Sequence, residues 1–347
     1  MFALTRQDTS VMKGIAICAM LCHHLYGCPP EWVEPYSGVL AWLGVLCKVC
    51  VALFLFCSGY GLAANYKPQS ILEDIKYIAK RLVKFYANYW VIFLIFVPIT
   101  IFVFHRSLAD AYGENVNIYK RLFYDIIGMQ GYQSYNITWW FNRLIIILYL
   151  TFPILYRLVS LIPWLAIIVS MVIVRISSYI TFDSIDVFLW QLPFVLGIVC
   201  QLYEEKLPQI QEWMSKHTFI QSVIAVVMLI ILIVLRMFPI IPHWDGVQMD
   251  GFLSCATALC VVSILRRLLV VSKVLSFLGK HSMNIYLIHT FFINYWHLDW
   301  LYNCEWLRGG GNYLLLLTTC AIISIGIEFL KEKIRLYEQL QYIIKQI

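Results

Sequence analysis

Three properties of the sequence predict an all-α, polytopic membrane protein. Of its 347 residues 61% are hydrophobic, only 13% are charged, and the mean hydropathy is +0.75. A soluble domain carries roughly a quarter charged residues. The apolar runs approach the ~20 residues that a helix needs to cross hydrocarbon, and they lack the alternation of a transmembrane barrel. Ten segments can be marked, at approximately 11–28, 38–64, 83–104, 138–156, 163–180, 187–203, 218–238, 251–270, 280–298 and 312–330. No linker, low-complexity tract or internal repeat separates them. Residues 1–347 are therefore read as one membrane domain, with short polar tails at 1–9 and 331–347.

The net charge of +6 is a topology signal, because the lysines and arginines fall in short loops on alternate sides. Lys67, Lys76, Lys80, Arg81 and Lys84 follow the second segment. Arg157, then Lys206 and Lys216, then Arg266, Arg267 and Lys273, and finally Lys331, Lys333 and Arg335 fall on the same side. The opposite side carries Glu31, Glu34, Asp183, Asp186, Asp245, Asp250, Asp299 and Glu305, with few cations. An even number of spans then places both termini in the cytoplasm. No basic, aromatic-interleaved soluble stretch exists, which excludes a nucleic-acid-binding module.

The first segment, VMKGIAICAMLCHHLYGC, holds a lysine near its start and two histidines deep inside. Ionisable side chains in hydrocarbon are costly and usually serve a function. Lys13 and His24 are eleven residues apart, so an α-helix sets them roughly 20° apart on one face and about 16 Å apart along the axis. His24 is a general-base candidate near neutral pH; the alternative is a histidine hydrogen-bonded to a neighbouring helix. His23 lies about 100° round the helix and suits an orienting role. In the second segment Gly59, within Ser58-Gly59-Tyr60, permits close helix approach. Lys80-Arg81-Leu82-Val83-Lys84 opens the third, with three cations on adjacent turns that suit a phosphate grip or ordinary cytoplasmic charge.

Residues 105–138 are predicted to lie outside as a partly helical, aromatic-rich interfacial stretch, where Asn136-Ile137-Thr138 fits a glycosylation sequon. Arg143, Arg175 and Arg236 fall inside spans, in the outer half. They either snorkel to the surface or line an outward cavity for an anionic acceptor. Ser282 and His289, seven apart, share a face of the ninth segment. The eleven cysteines sit mostly in apolar runs as packing residues. The Cys47–Cys50 pair lacks the partners of a zinc site, so no metal is expected, and Cys28 and Cys304 fall in outer loops where a bridge could form.

These motifs, in this order, resemble the acyltransferase 3 family of integral membrane acyltransferases. Lys13-Gly14-Ile15-Ala16 followed by His24 resembles the family's R-G-[IL]-A and histidine. Phe54 to Tyr60 resembles F-F-x-x-S-G-[FY], and Arg81 to Trp90 resembles R-x-x-R-I-x-P-x-Y-W. The stretch from Trp140 to Pro153 resembles a tryptophan-led helix ending in Y-L-x-F-P, and Phe277 to His289 resembles F-L-G-x-x-S-x-x-I-Y-L-I-H. The chain departs from the family at Lys13 and Lys84, which stand for arginines and lose the bidentate fork. It departs again at Ala52, Ile145 and Ala87, where an acidic residue, a glutamate and a proline are usual.

The resemblance implies a ten-helix core in a cell membrane, with a bacterial cytoplasmic membrane as the expected setting. It implies transfer of an acyl group, with acetyl-CoA the expected donor, to a hydroxyl of a cell-surface or lipid-linked glycan. No bound cofactor is expected besides that donor. Lys13, Arg81 and Lys84 would hold the CoA and His24 would act as the base. His23, Ser58, Tyr60, Trp140, Ser282 and His289 would be accessory, and Arg143, Arg175 and Arg236 would meet the acceptor. The competing reading is a glycan or lipid exporter that transfers no acyl group.

Overall fold

The computed structural model describes residues 4–67, 70–177, 185–204, 212, 216–238, 246–296, 302, 304 and 306–347, and every regular element among these is helical. Helix α1 (Arg6–Cys22) starts at a reciprocal cap: Asp8 Oδ2 accepts from the Thr5 N–H and hydroxyl, and Thr5 Oγ1 accepts from the Asp8 N–H. It passes into a π-turn, His23–Gly27, closed by the Cys28 N–H donating to the His23 carbonyl at 3.0 Å. A short α2 (Gly38–Leu46) and α3 (Cys50–Ala63) follow, joined by a single 3₁₀ turn.

Helix α4 (Ile71–Phe102) begins twelve residues before the predicted start of the third segment at 83. Ser70 caps it by accepting from the Glu73 N–H, and Glu73 and Asp74 favour its first turn. Arg81 and Lys84 therefore lie about 15–20 Å inside a helix rather than at the mouth of a loop. Two short helices, α5 (Leu108–Tyr112) and α6 (Ile118–Ile126), occupy the connection predicted to be partly helical. Next come α7 (Trp140–Leu161), α8 (Pro163–Ser177), α9 (Ile185–Glu204), α10 (Thr218–Met237) and α11 (Gly246–Ser263).

The predicted ninth segment, 280–298, starts at a helix break, and the stretch before it, expected as a loop, is itself helical. Helix α12 (Leu269–Lys280) ends at His281, α13 (Ser282–Thr290) restarts there, and a second π-turn spans Phe291–Tyr295. Helix α14 (Gly311–Lys333) runs past the predicted end of the last span, and α15 (Leu336–Gln346) occupies most of the expected tail after a left-handed Arg335 with φ 55°. Among the described residues seven helical stretches are long and apolar enough to cross a membrane. The other three expected spans fall on α1 with its π-turn, on α8, and on α13 with the π-turn Phe291–Tyr295, none of them among the seven. None of the eleven cysteines, Cys28 and Cys304 included, is joined in a disulfide.

The chain groups into two compact units. The first comprises Met1–Met20, Leu46–Pro68 and Thr151–Lys280. Here helices meet backbone to backbone. A Cβ at Gly59 would overlap the Phe194 carbonyl and one at Gly197 the Phe56 carbonyl, so α3 and α9 cross on glycines. In lipid, which is as apolar as the side chains, such close packing is what holds helices together. Asp8 and Arg266 form a bidentate ion pair, with Nη2–Oδ2 at 2.6 Å and Nε–Oδ1 at 2.9 Å. The Tyr60 hydroxyl donates to Glu204 and accepts from the Leu4 N–H.

The second unit comprises Leu21–Val45, Gln69–Leu150 and His281–Ile347. Its core is aromatic: Trp139 stands edge-on to Tyr89 at 5.2 Å, and Phe96 of α4 meets Phe291 at 5.2 Å. Helix α15 packs on α4, and its Leu340 is buried.

Replacing Gly59 with valine should force α3 and α9 apart and cost about 3 kcal/mol or more, by the logic of overpacking. Nothing lies within 4 Å of the Cβ position at Gly61 of the same helix. Gly61→Ala should leave the melting temperature unchanged or slightly raised. Thermal unfolding of the detergent-purified protein, read by size-exclusion chromatography, checks both.

Candidate functional site

In the second unit three imidazoles stand in a row. The His23 and His24 ring centroids are 5.1 Å apart, and those of His24 and His289 are 4.9 Å apart. The π-turn presents the first two. It is seated by a glycine contact: a Cβ on Gly27 would lie 2.7 Å from the carbonyl carbon and oxygen of Gly44, and Gly44 has no room for one either. Because α2 comes that close, His23 Nδ1 sits 2.8 Å from the Gly44 carbonyl. A carbonyl can only accept, so Nδ1 carries the proton and Nε2 of neutral His23 is a lone pair. The Cys28 thiol is 3.8 Å from that Nε2.

His289 obeys the same logic. Its Nδ1 is 2.8 Å from the Tyr286 carbonyl and must donate to it. Its Nε2 is buried and has no hydrogen-bond partner among the described residues. A buried lone pair without a donor costs about 1–3 kcal/mol, a cost that persists at sites where something must be received. The ring packed against it belongs to His24, which makes no hydrogen bond of its own among the described residues. His24 is thus the member of the row left free to exchange a proton, and its two neighbours have their tautomers set by backbone. No group of three or more His, Cys, Asp or Glu side chains among the described residues is placed to hold a metal ion.

A polar hub that the sequence did not reveal adjoins His289. Asn136 is fully buried, and its Oδ1 accepts from the Thr138 hydroxyl at 2.8 Å, the Thr138 N–H at 3.1 Å and the Thr290 hydroxyl at 2.7 Å. The apparent sequon is therefore a helix-entry cap, closed to glycosylation in the folded protein. Trp139, not Trp140, enters the core, and its indole N–H donates to the Leu287 carbonyl at 3.2 Å. Trp140 is half-buried and stacks on Tyr132. The Tyr286 hydroxyl donates to the Thr138 carbonyl at 2.8 Å and lies 3.2 Å from Asn142 Oδ1.

Arg81 and Lys84 belong to the same unit. Arg81 lies over Tyr77 and donates to its hydroxyl at 3.2 Å, and Lys84 is exposed. Phe96, which packs on Phe291 two residues beyond His289, is fifteen residues on from Arg81. The two basic residues are thus roughly 20 Å along α4 from the level of the imidazoles. Between those levels sits Lys331, expected as cytoplasmic loop charge but fully buried inside α14. Its ammonium donates to Asn88, Asn284 and Glu328, each at 2.8 Å, which uses all three hydrogens. Asn88 in turn donates to the Lys84 carbonyl at 2.8 Å, so Lys331 fastens the basic stretch of α4 to α13 and α14. Ser282 opens α13 beside His281, whose Nδ1 is 2.8 Å from the Ser324 hydroxyl.

The remaining expected residues are dispersed. Lys13, Ser58 and Tyr60 belong to the first unit. Arg236 also lies there, in a buried ion pair with Asp250 whose side chains are 6% and 0% exposed. The Arg175 side chain lies outside the described residues. Arg143 is in the second unit, its guanidinium against Gly131. In the outer connection Asp125 Oδ2 accepts from the Tyr112 hydroxyl and the Tyr135 N–H, both at 2.6 Å, next to the Asn136 hub.

The chain belongs to the acyltransferase 3 family: the family's model, described as an acyltransferase domain, matches residues 8–331 of 347. Its apolar helices and this membership make it a multi-pass membrane protein of acyltransferase type. No curated protein and no solved structure shows a significant match.

Burial pushes the Asp125 carboxyl up to about 7, against the lowering pull of the Tyr112 and Tyr135 hydrogen bonds and of Arg106 and Arg121. A carboxyl whose folded pKa is raised stabilises the fold fully below about pH 4 and loses that contribution as pH rises through about 7. The outer connection should therefore loosen between about pH 4 and 7, read as amide exchange at residues 112–135. Asp125→Asn keeps an accepting oxygen and should flatten that dependence; an unchanged slope would show that another group titrates.

Proposed function

We propose that this protein is a membrane O-acyltransferase, with an acyl-CoA as donor, acetyl-CoA the first to test, and with a hydroxyl of a surface or lipid-linked glycan as acceptor. The observation that carries the reading is His24, held without hydrogen bonds between two imidazoles whose own protons are committed to backbone carbonyls. On the proposed route the acceptor oxygen attacks the thioester carbonyl and a His24 nitrogen takes the hydroxyl proton. The carbon–sulfur bond then breaks, and CoA leaves as the thiol once that proton reaches its sulfur. His289 Nε2, a lone pair without another donor, is suited to accept the His24 N–H and so orient the opposite nitrogen toward the acceptor. Positioned base catalysis of this kind is typically worth about 10²- to 10⁴-fold.

The donor would be gripped at Arg81 and Lys84, with Lys331 holding their helix in place. Since those cations lie roughly 20 Å along α4 from the histidine level, a long, extended donor with its phosphates at one end suits the spacing. Lys13 is proposed as a further cation for the donor, and Arg143 as the first acceptor contact to test; the roles expected of Arg175 and Arg236 are proposals of the same kind. Ten spans in a cell membrane are proposed, and the positive-inside bias favours placing both termini in the cytoplasm.

His24→Ala should lower transfer of radiolabel from acetyl-CoA to membrane glycan by about 100-fold or more, at unchanged protein level. His289→Ala should lower the rate by a smaller factor. Transfer at near wild-type rate by His24→Ala would remove the base assignment. An active glycan export that needs no CoA would favour the exporter.

A further inference from the structure

In the first unit α1 and α12 touch along their backbones, with Gly14 against the Leu275 carbonyl and Gly279 against the Ser10 carbonyl. Beside this seam lies an open groove of 460 Å³, within the size range of small-molecule sites. Helix α1 lines it with Arg6, Gln7 and Ser10. Helix α12 lines it with Lys273, Ser276, Phe277 and Lys280, the i, i+3, i+4 and i+7 positions of one face. Three cations, an amide and two hydroxyls therefore converge with one aromatic ring, and no carboxylate joins them among the described residues.

What distinguishes this place is that three cations without a carboxylate partner among the described residues share one groove. Asp8 lies on α1 among the groove residues, yet its carboxylate is taken by Arg266. Elsewhere Arg236, Arg308, Lys331 and Arg335 each face a carboxylate. Arg6, Lys273 and Lys280 have no ion-pair or hydrogen-bond partner among the described side chains. Like charges gathered by a rigid seam repel one another until an anion occupies the space between them. Lysine and arginine together with neutral donors form the side-chain set that phosphate oxygens accept from.

We propose that this groove is a phosphate-ester site: the three cations and the Gln7 and Ser276 groups hold the phosphate, and Phe277 covers the organic part of the ester. Its residues all belong to the first unit, whereas the Arg81–Lys84 stretch belongs to the second, and it does not depend on the acyl-transfer reading. Two sources offer this chemistry, a phospholipid headgroup and a soluble nucleotide such as CoA.

Native mass spectrometry of the full-length protein, with CoA and with dioleoyl phosphatidic acid as probes, tests the proposal and separates the sources. The K273Q/K280Q double variant should weaken at least one probe by about tenfold or more. Both lysines are exposed, so the variant should keep the wild-type melting temperature. K273R/K280R should retain binding, and Arg267→Gln, which removes an exposed cation outside the groove, should leave it unchanged. The His24→Ala protein should bind as wild type does, so loss of catalysis and loss of this site are separate readouts. The proposal is overturned if neither probe binds, if both bind the double variant as well as wild type, or if Arg267→Gln weakens binding as much.

Discussion

The candidate site depends on one close contact, that of Gly27 with Gly44. Without side chains at these positions the π-turn and α2 approach until the Gly44 carbonyl accepts the His23 Nδ1 proton at 2.8 Å. That hydrogen bond assigns the His23 tautomer, and the π-turn carries His24 with it against His289. A π-turn gives up regular α hydrogen bonding and is found mostly at functional positions. Among the described residues of the second unit it occurs twice, at His23–Gly27, which contains His24, and at Phe291–Tyr295, just after His289.

The interior of each unit shows how charge is carried where water is scarce. Unpaired ions in such surroundings cost several kcal/mol, so those present are matched. Lys331 spends all three hydrogens on Asn88, Asn284 and Glu328, and Arg236 is closed by Asp250. These groups are fixed, and fixed groups position others. His289 Nε2 differs from them in being buried and unmet, which makes it a receiving group and not a strut.

Much of the helix content was legible because hydropathy reports span identity directly. His24 was legible because an imidazole inside an apolar run needs a reason to be there, and His289 because it recurs on one face of a helix. Their juxtaposition was not legible, since it arises from packing between segments more than 250 residues apart in the chain. The start of α4 was misplaced because its capped, amphipathic first turns carry little hydropathy signal. Lys331 was taken for loop charge because the positive-inside rule counts residues without seeing burial. The Asn136 sequon failed for the same reason: a tripeptide pattern is local, and the buried hub it forms with Thr290 is not. The π-turns leave no trace in composition at all.

The account turns on the proton positions in the imidazole row, and these can be read directly. Nitrogen-15 NMR of histidine-labelled protein in lipid nanodiscs, at about pH 8 where an ordinary imidazole is neutral, distinguishes the two tautomers of each ring. His23 and His289 should both appear as Nδ1–H with an unprotonated Nε2, leaving His24 as the ring that exchanges. A His289 signal from the Nε2–H tautomer would contradict the account, because that ring would then have no lone pair for His24.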